Sequence, residues 1–350
     1  MKLMIDDAVW GFNKIFSEFG EVVTLPGREI NRESLLDCDM LIVRSRTQVN
    51  QELLEGTKIS FVGSTVAGLD HIDESYLYKN NIAFSSAQGC NANAVAEYVI
   101  SALANLAHDY CFKLAEKSLG IIGVGNVGRR LDFKAKQLGM TTLLNDPPRE
   151  EKEGADGFVS IENALSADIV TFHTPLTNNG PYPTHNLLGS QNFNLITQDT
   201  ILINAARGGI IDEAIWETIN TKANIIDCWE NEPNINRTLQ KTAYWSTPHI
   251  AGHSIDAKFM GSFMIYKELC KFIQKPMNSE IETLINRESM VIEEKTLHAT
   301  LNSIYSFKND DEVISDISKF EDYRRNYPER FEWHHFKTQF DLPRKNINQY

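Results

Sequence analysis

The sequence predicts an α/β protein built from two doubly wound parallel-sheet domains followed by a smaller C-terminal unit. Three observations predict this architecture. Short apolar runs alternate with helical stretches, the alternation occurs twice along the chain, and the composition changes after about residue 281. A chain of 350 residues is also too long for one ordinary domain.

The first series of predicted strands lies within the first 87 residues. Its apolar runs are separated by amphipathic or turn segments, and in chain order they are KLMID, EVVTL, DMLIVRS, ISFVGS and IAFSSA. Strands that alternate with helices indicate a parallel sheet covered on both faces. Residues 91–110 predict a long helix with apolar positions on all sides, which we expect to be buried between two layers.

A second series of predicted strands follows this helix, again with helical connections. Its apolar runs are LGIIGV, TTLLND, DIVTFH, TILINAA and NIIDCW. Residues 255–274 predict another long helix, and the tail beyond it is richer in charge. Helical spacing is expected for four aromatic residues of that tail, which are Tyr323, Tyr327, Phe331 and Trp333.

The composition argues against several classes of protein. No run approaches the roughly 18 apolar residues of a membrane span, and a net charge of −13 disfavours nucleic acid or an anionic membrane as a partner. The five cysteines are scattered and have no CxxC spacing, so we expect neither disulfides nor a metal site. The N-terminal stretch lacks the apolar core of a signal peptide, and we expect a cytoplasmic protein.

The most specific motif is LGIIGVGNVGRR, in which three glycines fit G-x-G-x-x-G between a strand and a helix. The first glycine allows the tight turn, the second lets the backbone approach a pyrophosphate, and the third packs helix on strand. The next strand ends in Asp146, the expected distance away for a ribose contact, and its carboxylate favours NAD over NADP. The sequence therefore predicts a Rossmann-like NAD site that includes Gly123, Gly125, Asn126, Val127 and Gly128.

Three further residues form a possible set for hydride transfer. Arg207 ends a buried strand, and its alternative role is a surface salt bridge. His249 follows a proline, and a single loop histidine is more often structural than catalytic. With an NAD site upstream, however, the arginine would hold a carboxylate and a carbonyl oxygen, and His249 would move the hydroxyl proton. Glu232 would hydrogen-bond the imidazole and set its tautomer.

The segment DCWENEP contributes two more acids beside Glu232. Asp227 stands where a strand ends, and we expect it to hydrogen-bond the nicotinamide carboxamide. Glu230 is expected to be solvated.

Several blocks of the chain resemble the D-isomer-specific 2-hydroxyacid dehydrogenases, chiefly NAARGGIIDE, DCWENEP and TPHIAG. This resemblance implies a substrate-binding domain of residues 1–93 and 255–280 and an NAD-binding Rossmann domain of residues 94–254. The tail, with FEDYRRNYPERFEW, is similar to the C-terminal domain of one branch of the family. It implies a small α+β dimerisation domain over 281–350, hence a homodimer, and a phosphorylated 2-hydroxy acid as substrate.

The resemblance also implies roles for individual residues. Arg207, Glu232 and His249 match the family's catalytic residues. The positions that match its NAD contacts are Asp146, Thr174, Ala205, Asp227 and Gly252. The substrate contacts implied are Ser45, Thr65, Val66 and His253, of which Val66 and His253 stand where close relatives have threonine and tyrosine. Arg44 and Arg46 are the first candidates for binding the phosphate, and their alternative role is surface solubility. Arg324 or Arg325, from the tail of a second copy of the chain, is a further candidate.

Two other functions remain open on the sequence. A dehydrogenase for another 2-hydroxy acid, such as 3-phosphoglycerate, would keep every catalytic residue. A non-catalytic NAD-sensing scaffold is disfavoured by the intact set of catalytic residue types.

Overall fold

The structure, a computed structural model, describes residues 1–306, 308–340 and 342. In chain order its strands are β1 Lys2–Asp6, β2 Glu21–Leu25, β3 Met40–Val43, β4 Phe61–Ser64, β5 Ala83–Ser86, β6 Ser118–Ile122, β7 Thr141–Asn145, β8 Ile169–Phe172, β9 Ile201–Asn204, β10 Ala223–Ile226, β11 Trp245–Ser246, β12 Met290–Ile292 and β13 Phe336–Thr338. Its α-helices are α1 Phe12–Ile15, α2 Arg32–Leu35, α3 Gln51–Leu54, α4 Glu74–Lys79, α5 Ala92–Asp109, α6 Asn126–Gln137, α7 Pro147–Glu153, α8 Ile161–Leu165, α9 Glu213–Trp216, α10 Arg237–Thr242, α11 Ile255–Phe272, α12 Leu297–Ile304, α13 Lys308–Ile314 and α14 Phe320–Arg325.

The chain divides into two compact units. Unit 1 comprises Met1–Asn91 and Ser254–Glu288. Its five-stranded parallel sheet has the order β2-β1-β3-β4-β5. Helix α11 packs closely on β4, because a Cβ on Gly63 would lie 2.4 Å from Cγ2 of Ile265 and a Cβ on Gly261 would lie 2.2 Å from the carbonyl oxygen of Thr65.

Unit 2 comprises Ala92–His253 together with the described residues from Ser289 onward. Its six-stranded parallel sheet has the order β11-β10-β9-β8-β6-β7. The strand order reverses at β6, where doubly wound sheets bind their ligands beyond the carboxyl ends of the strands. Helix α5 is buried from Ala92 to Leu106, as its apolar sequence predicts. The predicted fold class is confirmed, with two parallel-sheet α/β domains and a small C-terminal sheet.

The C-terminal segment, defined here as the described residues from Ser289 onward, groups with unit 2 and does not separate as a third unit. It contains the parallel pair β12 and β13 and helices α12 to α14. Among the described residues, no helix combines the length and apolar character needed to cross a membrane.

The helical spacing expected for the aromatic residues of the tail is wrong, because α14 ends at Arg325. The hydroxyl groups of Tyr323 and Tyr327 instead donate to the buried carboxylate of Asp310, at 2.6 and 3.0 Å. Trp333 is buried, and Nζ of Lys134 lies 4.5 Å from its ring centroid. Contacts within the chain therefore cover much of this aromatic surface, so its aromatic content is not by itself an argument for a dimer.

Candidate active site

The glycine motif lies where β6 passes into α6, and its three glycines have different surroundings. Gly123 has a φ of 88°, and a Cβ there would lie 2.7 Å from the carbonyl carbon of His173. A Cβ on Gly128 would lie 2.2 Å from the carbonyl oxygen of Gly123, so the third glycine lets α6 approach the strand. A Cβ on Gly125 would meet no atom within 4 Å, which leaves space above the turn. Helix α6 begins at Asn126 without a side-chain cap, and Val127 follows, so the N–H groups of its first turn can bind phosphate.

Asp146 follows β7 and is half-buried. Its Oδ2 accepts a hydrogen bond from the Val124 N–H at 2.8 Å, and its Oδ1 caps α7 by accepting from the Arg149 N–H at 3.1 Å. The carboxylate is therefore fixed against the glycine turn, where its negative charge disfavours a 2′-phosphate.

The loops after β8 and β9 hold the next expected NAD contacts. The Oγ1 of Thr174 and the Nδ1 of His173 are buried, and neither has a hydrogen-bond partner among the described residues. Burial lowers the pKa of His173 to about 3, so this imidazole is neutral near pH 7. Ala205 is buried directly after β9. The space above Gly125 and the two unsatisfied polar atoms fit a bound dinucleotide, which would satisfy them.

Asp227 is buried at the end of β10 and organises the loop that carries His249. Its Oδ1 accepts from the Thr247 hydroxyl and the Ile250 N–H, both at 2.7 Å, and its Oδ2 accepts from the Ala251 N–H at 3.0 Å. Burial raises the pKa of this carboxyl, although His249 and these three donors oppose that effect. The expected contact with the nicotinamide carboxamide stays a prediction, and the structure adds a role in loop positioning.

Glu232 and His249 form a hydrogen-bonded pair. Nδ1 of His249 lies 3.0 Å from Oε1 and 2.9 Å from Oε2 of Glu232. Oε1 also accepts from the Trp229 N–H at 3.0 Å. Burial raises the pKa of Glu232, but His249, Trp229 and Arg324 together hold it below its usual value. The carboxylate thus binds Nδ1 and leaves Nε2 of the imidazole for a substrate proton.

Arg207 follows β9 on the turn that precedes two glycines. A Cβ on Gly208 would lie 2.0 Å from the Trp229 carbonyl oxygen, and Gly209 has a φ of 79°, so both positions favour glycine. The Arg207 Nη1 donates to the Ala206 carbonyl at 2.8 Å, and the side chain is half-buried. These contacts hold the Arg207 guanidinium near the ends of β9 and β10.

Glu230 is not the solvated residue that the sequence predicts. It is half-buried, and its N–H donates to Oε1 of Glu213 at 2.7 Å while the Glu213 N–H donates back to its Oε1 at 3.5 Å. Burial raises the pKa of Glu213 to about 7, and the charges of Glu230, Glu217 and Glu232 add to that rise.

The expected substrate contacts of unit 1 lie in the loops after β3 and β4. Ser45 is exposed, Arg46 is half-buried, and Nη1 of Arg44 donates to the Ala8 carbonyl at 3.2 Å. Thr65 is buried, with its hydroxyl donating to the Val43 carbonyl at 3.3 Å, and Val66 beside it is half-buried. Thr65 therefore directs its hydroxyl to its own sheet.

Unit 2 carries the remaining predicted positions, Gly252 and His253, directly after Ala251. Both are half-buried, and the His253 ring meets the Tyr327 ring edge-on, with centroids 5.5 Å apart. The sequence suggested Arg324 as a phosphate contact from a partner's tail, and it gave no indication of the contacts that this part of the tail makes within its own chain. Arg324 lies beside Glu232, and Arg330 donates to the Ala251 carbonyl at 3.1 Å. In the sequence, the signal for Arg324 and Arg330 is a group of arginines among aromatic residues.

Comparison with known proteins identifies the family of the chain. A sequence model of the D-isomer specific 2-hydroxyacid dehydrogenase NAD-binding domain matches residues 94–251. The chain is 58% identical over 343 residues to an erythronate-4-phosphate dehydrogenase from Ruthia magnifica subsp. Calyptogena magnifica, covering 98% of this chain and 99% of the relative. The chain belongs to the erythronate-4-phosphate dehydrogenase family. A second member, from Hydrogenovibrio crunogenus, is 52% identical over 95% of this chain and 92% of its own.

Solved structures show the same fold outside the erythronate-4-phosphate dehydrogenase family. The NAD-bound 3-phosphoglycerate dehydrogenase of Entamoeba histolytica superposes with a TM-score of 0.63 at 24% identity. The match covers 82% of this chain and 99% of that chain. Family membership makes the chain an NAD-dependent oxidoreductase.

Proposed function

We propose that the chain oxidises 4-phospho-D-erythronate at C2, giving (R)-3-hydroxy-2-oxo-4-phosphooxybutanoate, and that this step serves pyridoxine 5′-phosphate (vitamin B6) biosynthesis. The observation that carries the proposal is the identity of 58% along 98% of the chain, which includes the C-terminal segment. The Glu232–His249 pair supports it, because oxidation of a hydroxyl group requires a base for the hydroxyl proton.

The mechanism assigns that base to His249. Glu232 binds Nδ1, so Nε2 accepts the C2 hydroxyl proton. As the proton arrives, the imidazole becomes positively charged, and the ionised carboxylate of Glu232 stabilises that charge. When bound, NAD supplies the acceptor for the hydride that leaves C2.

Arg207 has a separate part in the mechanism. We propose that its guanidinium binds the substrate carboxylate and the oxygen at C2, where a planar fork of donors suits a carboxylate. The glycine turn and the α6 N-terminus would bind the cofactor phosphates, with Thr174 and Asp146 as further contacts. Arg44 and Arg46 are the proposed phosphate ligands.

The decisive experiment measures NADH formation by the purified protein with 4-phosphoerythronate, with and without an added 2-oxo acid. Parallel assays with 3-phosphoglycerate and D-lactate provide the comparison. We expect the highest kcat/KM with 4-phosphoerythronate. A preference for 3-phosphoglycerate would indicate a different 2-hydroxyacid dehydrogenase, and no turnover with any of the three would favour a non-catalytic NAD-binding protein.

The phosphate contacts can be tested in the same assay. Arg44→Gln and Arg46→Gln should raise KM for 4-phosphoerythronate. The same variants should show a smaller change with the unphosphorylated acid, because that substrate lacks the group they would bind.

We also propose that the enzyme is a cytoplasmic homodimer. The five cysteines all lie in the described part of the chain and form no disulfides, which suits a reducing compartment. Sedimentation of the full-length chain tests the dimer, and a monomer at micromolar concentration would contradict it. The resemblance of the tail to a dimerisation domain supports this proposal, although the aromatic residues named above are largely packed within their own chain.

A further inference from the structure

The C-terminal segment places a cation beside the catalytic pair of its own chain. Arg324 lies in α14, and its Nη1 is 3.8 Å from Oε2 of Glu232. The same oxygen lies 2.9 Å from Nδ1 of His249. One carboxylate is therefore shared between the imidazole and a guanidinium from a distant part of the sequence.

Arg324 has two further neighbours in its own segment. Nη1 lies 3.7 Å from Oε1 of Glu321, and Cζ lies 5.7 Å from the ring centroid of the buried Phe320. The side chain is 19% exposed, as is that of Glu232. An ion pair at this depth is less screened by solvent than a surface pair, so its charge acts on the carboxylate more strongly.

The same segment also holds the loop that follows His249. Arg330 is buried and donates to the carbonyl oxygens of Ala251 and Ala94, at 3.1 and 2.5 Å. Its Cζ stacks 4.3 Å from the centroid of the Tyr305 ring. The C-terminal segment therefore contacts Glu232 through Arg324 and the loop after His249 through Arg330.

We propose that Arg324 is a positioning residue for hydride transfer, which orients the Glu232 carboxylate and limits how strongly that carboxylate favours the imidazolium form of His249. This inference rests on the proposed function, because it assumes that His249 is the base. It also gives the C-terminal segment a part in catalysis within its own chain.

The other titratable groups around Glu232 and His249 do not mask the effect of Arg324 on the imidazole. Glu213 and Cys228 face Glu232, but burial raises the pKa of Glu213 to about 7 and raises that of the Cys228 thiol well above its usual value. Asp227 faces His249, whose charge opposes the rise that burial causes in the pKa of the Asp227 carboxyl. Arg207 lies near Cys228 and adds positive charge on that side. Arg324 lies within 4 Å of the Glu232 carboxylate, and so does the His249 imidazole.

Removing the guanidinium should make His249 bind a proton more tightly, because Glu232 then acts on the imidazole alone. Oxidation requires neutral His249, so Arg324→Gln should move the acidic limb of kcat/KM to higher pH, by roughly 0.5 to 1 unit. Arg324→Lys keeps the charge and should restore most of the wild-type profile. Arg325→Gln removes the same charge from the exposed neighbouring position and serves as the matched control.

An independent readout is the NMR titration of His249 in protein with labelled histidines, assigned by the signal that His249→Asn loses. We expect its midpoint to rise in Arg324→Gln and to stay near the wild-type value in Arg324→Lys and Arg325→Gln. An unchanged midpoint in folded Arg324→Gln would overturn the proposal, as would a rise in KM without any shift of the pH profile. If the wild type does not oxidise 4-phosphoerythronate, the proposed function fails, and the titration still decides the role of Arg324.

Discussion

Both carboxylate oxygens of Glu232 lie within 3.0 Å of Nδ1 of His249. The backbone at His249 has a φ of 55°, a left-handed conformation that is uncommon for a residue other than glycine. Asp227 holds this conformation by accepting hydrogen bonds from the next two backbone N–H groups, those of Ile250 and Ala251. Glu232 thus orients the His249 side chain, and Asp227 fixes the backbone that directly follows His249.

The first prediction concerns the charge on Glu232. Glu232→Gln removes the charge that favours imidazolium, so the apparent pKa on the acidic limb of kcat/KM should fall by about one unit. The rate at the plateau should also fall, because the neutral amide holds the needed tautomer less firmly. The pH profile of kcat/KM for NADH formation measures both effects.

A double mutant provides the control for this pair. His249→Ala alone should reduce kcat by roughly 10²–10⁴-fold, the range expected for losing a general base. Glu232→Gln combined with His249→Ala should be little slower than His249→Ala, because the glutamate acts through the histidine. Full additivity of the two losses would show that the residues act separately.

The second prediction concerns cofactor choice. Asp146 is fixed beside the glycine turn through the Val124 N–H, and its charge should repel the 2′-phosphate of NADP. We expect a clear preference for NAD in kcat/KM and a narrower gap in Asp146→Asn, which keeps an acceptor oxygen for Val124. Asp156→Asn, an exposed change nearby in the sequence, should leave the ratio unaltered. Comparable wild-type kcat/KM values for the two cofactors would refute the assignment.

The third prediction is a pH dependence of stability caused by Glu213. Burial raises its pKa from 4.5 to about 7 in the folded protein, so the folded state binds the proton more tightly than the unfolded state. Its contribution to the free energy of unfolding is therefore complete below about pH 4.5 and is lost as the pH rises through about 7. Glu213→Gln should remove this loss, so the variant should gain stability relative to wild type as the pH rises across this window.

Chemical denaturation of both proteins at several pH values measures this difference. Glu217→Gln, at the exposed end of the same helix, provides the matched control and should change the pH dependence much less. A constant difference between Glu213→Gln and wild type over the window would show that Glu213 has an ordinary pKa.

The fourth prediction concerns the anchoring of the C-terminal segment. Trp333 is buried against Lys134, and its backbone N–H donates to Oε2 of the buried Glu97 at 3.1 Å. Lys134 and Glu97 form a buried ion pair, with Nζ 3.3 Å from Oε1. Trp333→Ala should lower the free energy of unfolding by about 3–5 kcal/mol, because it leaves a cavity beside a buried ion pair. Val291→Ala, in the same segment but 67% exposed, should change it by less than about 0.5 kcal/mol. A Trp333→Ala protein as stable as wild type would contradict this packing.

Much of the fold was predictable from the sequence because the signals are local. The predicted strand TTLLND and the observed β7, Thr141–Asn145, differ by one residue, since a short apolar run between turn residues allows little else. The predicted helix 91–110 became α5, Ala92–Asp109. The aromatic tail was predicted poorly, because its tyrosines are placed by the carboxylate of Asp310 and not by a helical repeat.

The sequence by itself determined the order of strands β1 to β10, the glycine turn at Gly123 and the residue types of the hydride-transfer set. These features depend on periodicity and on backbone conformations that few residues allow. The tertiary structure decided that Asp227 holds the His249 loop, that Glu230 pairs with Glu213, and that Arg324 reaches Glu232. Each of these contacts joins segments that are apart in the chain. Its existence depends on how the sheet and the tail pack, and residue spacing alone does not record that packing.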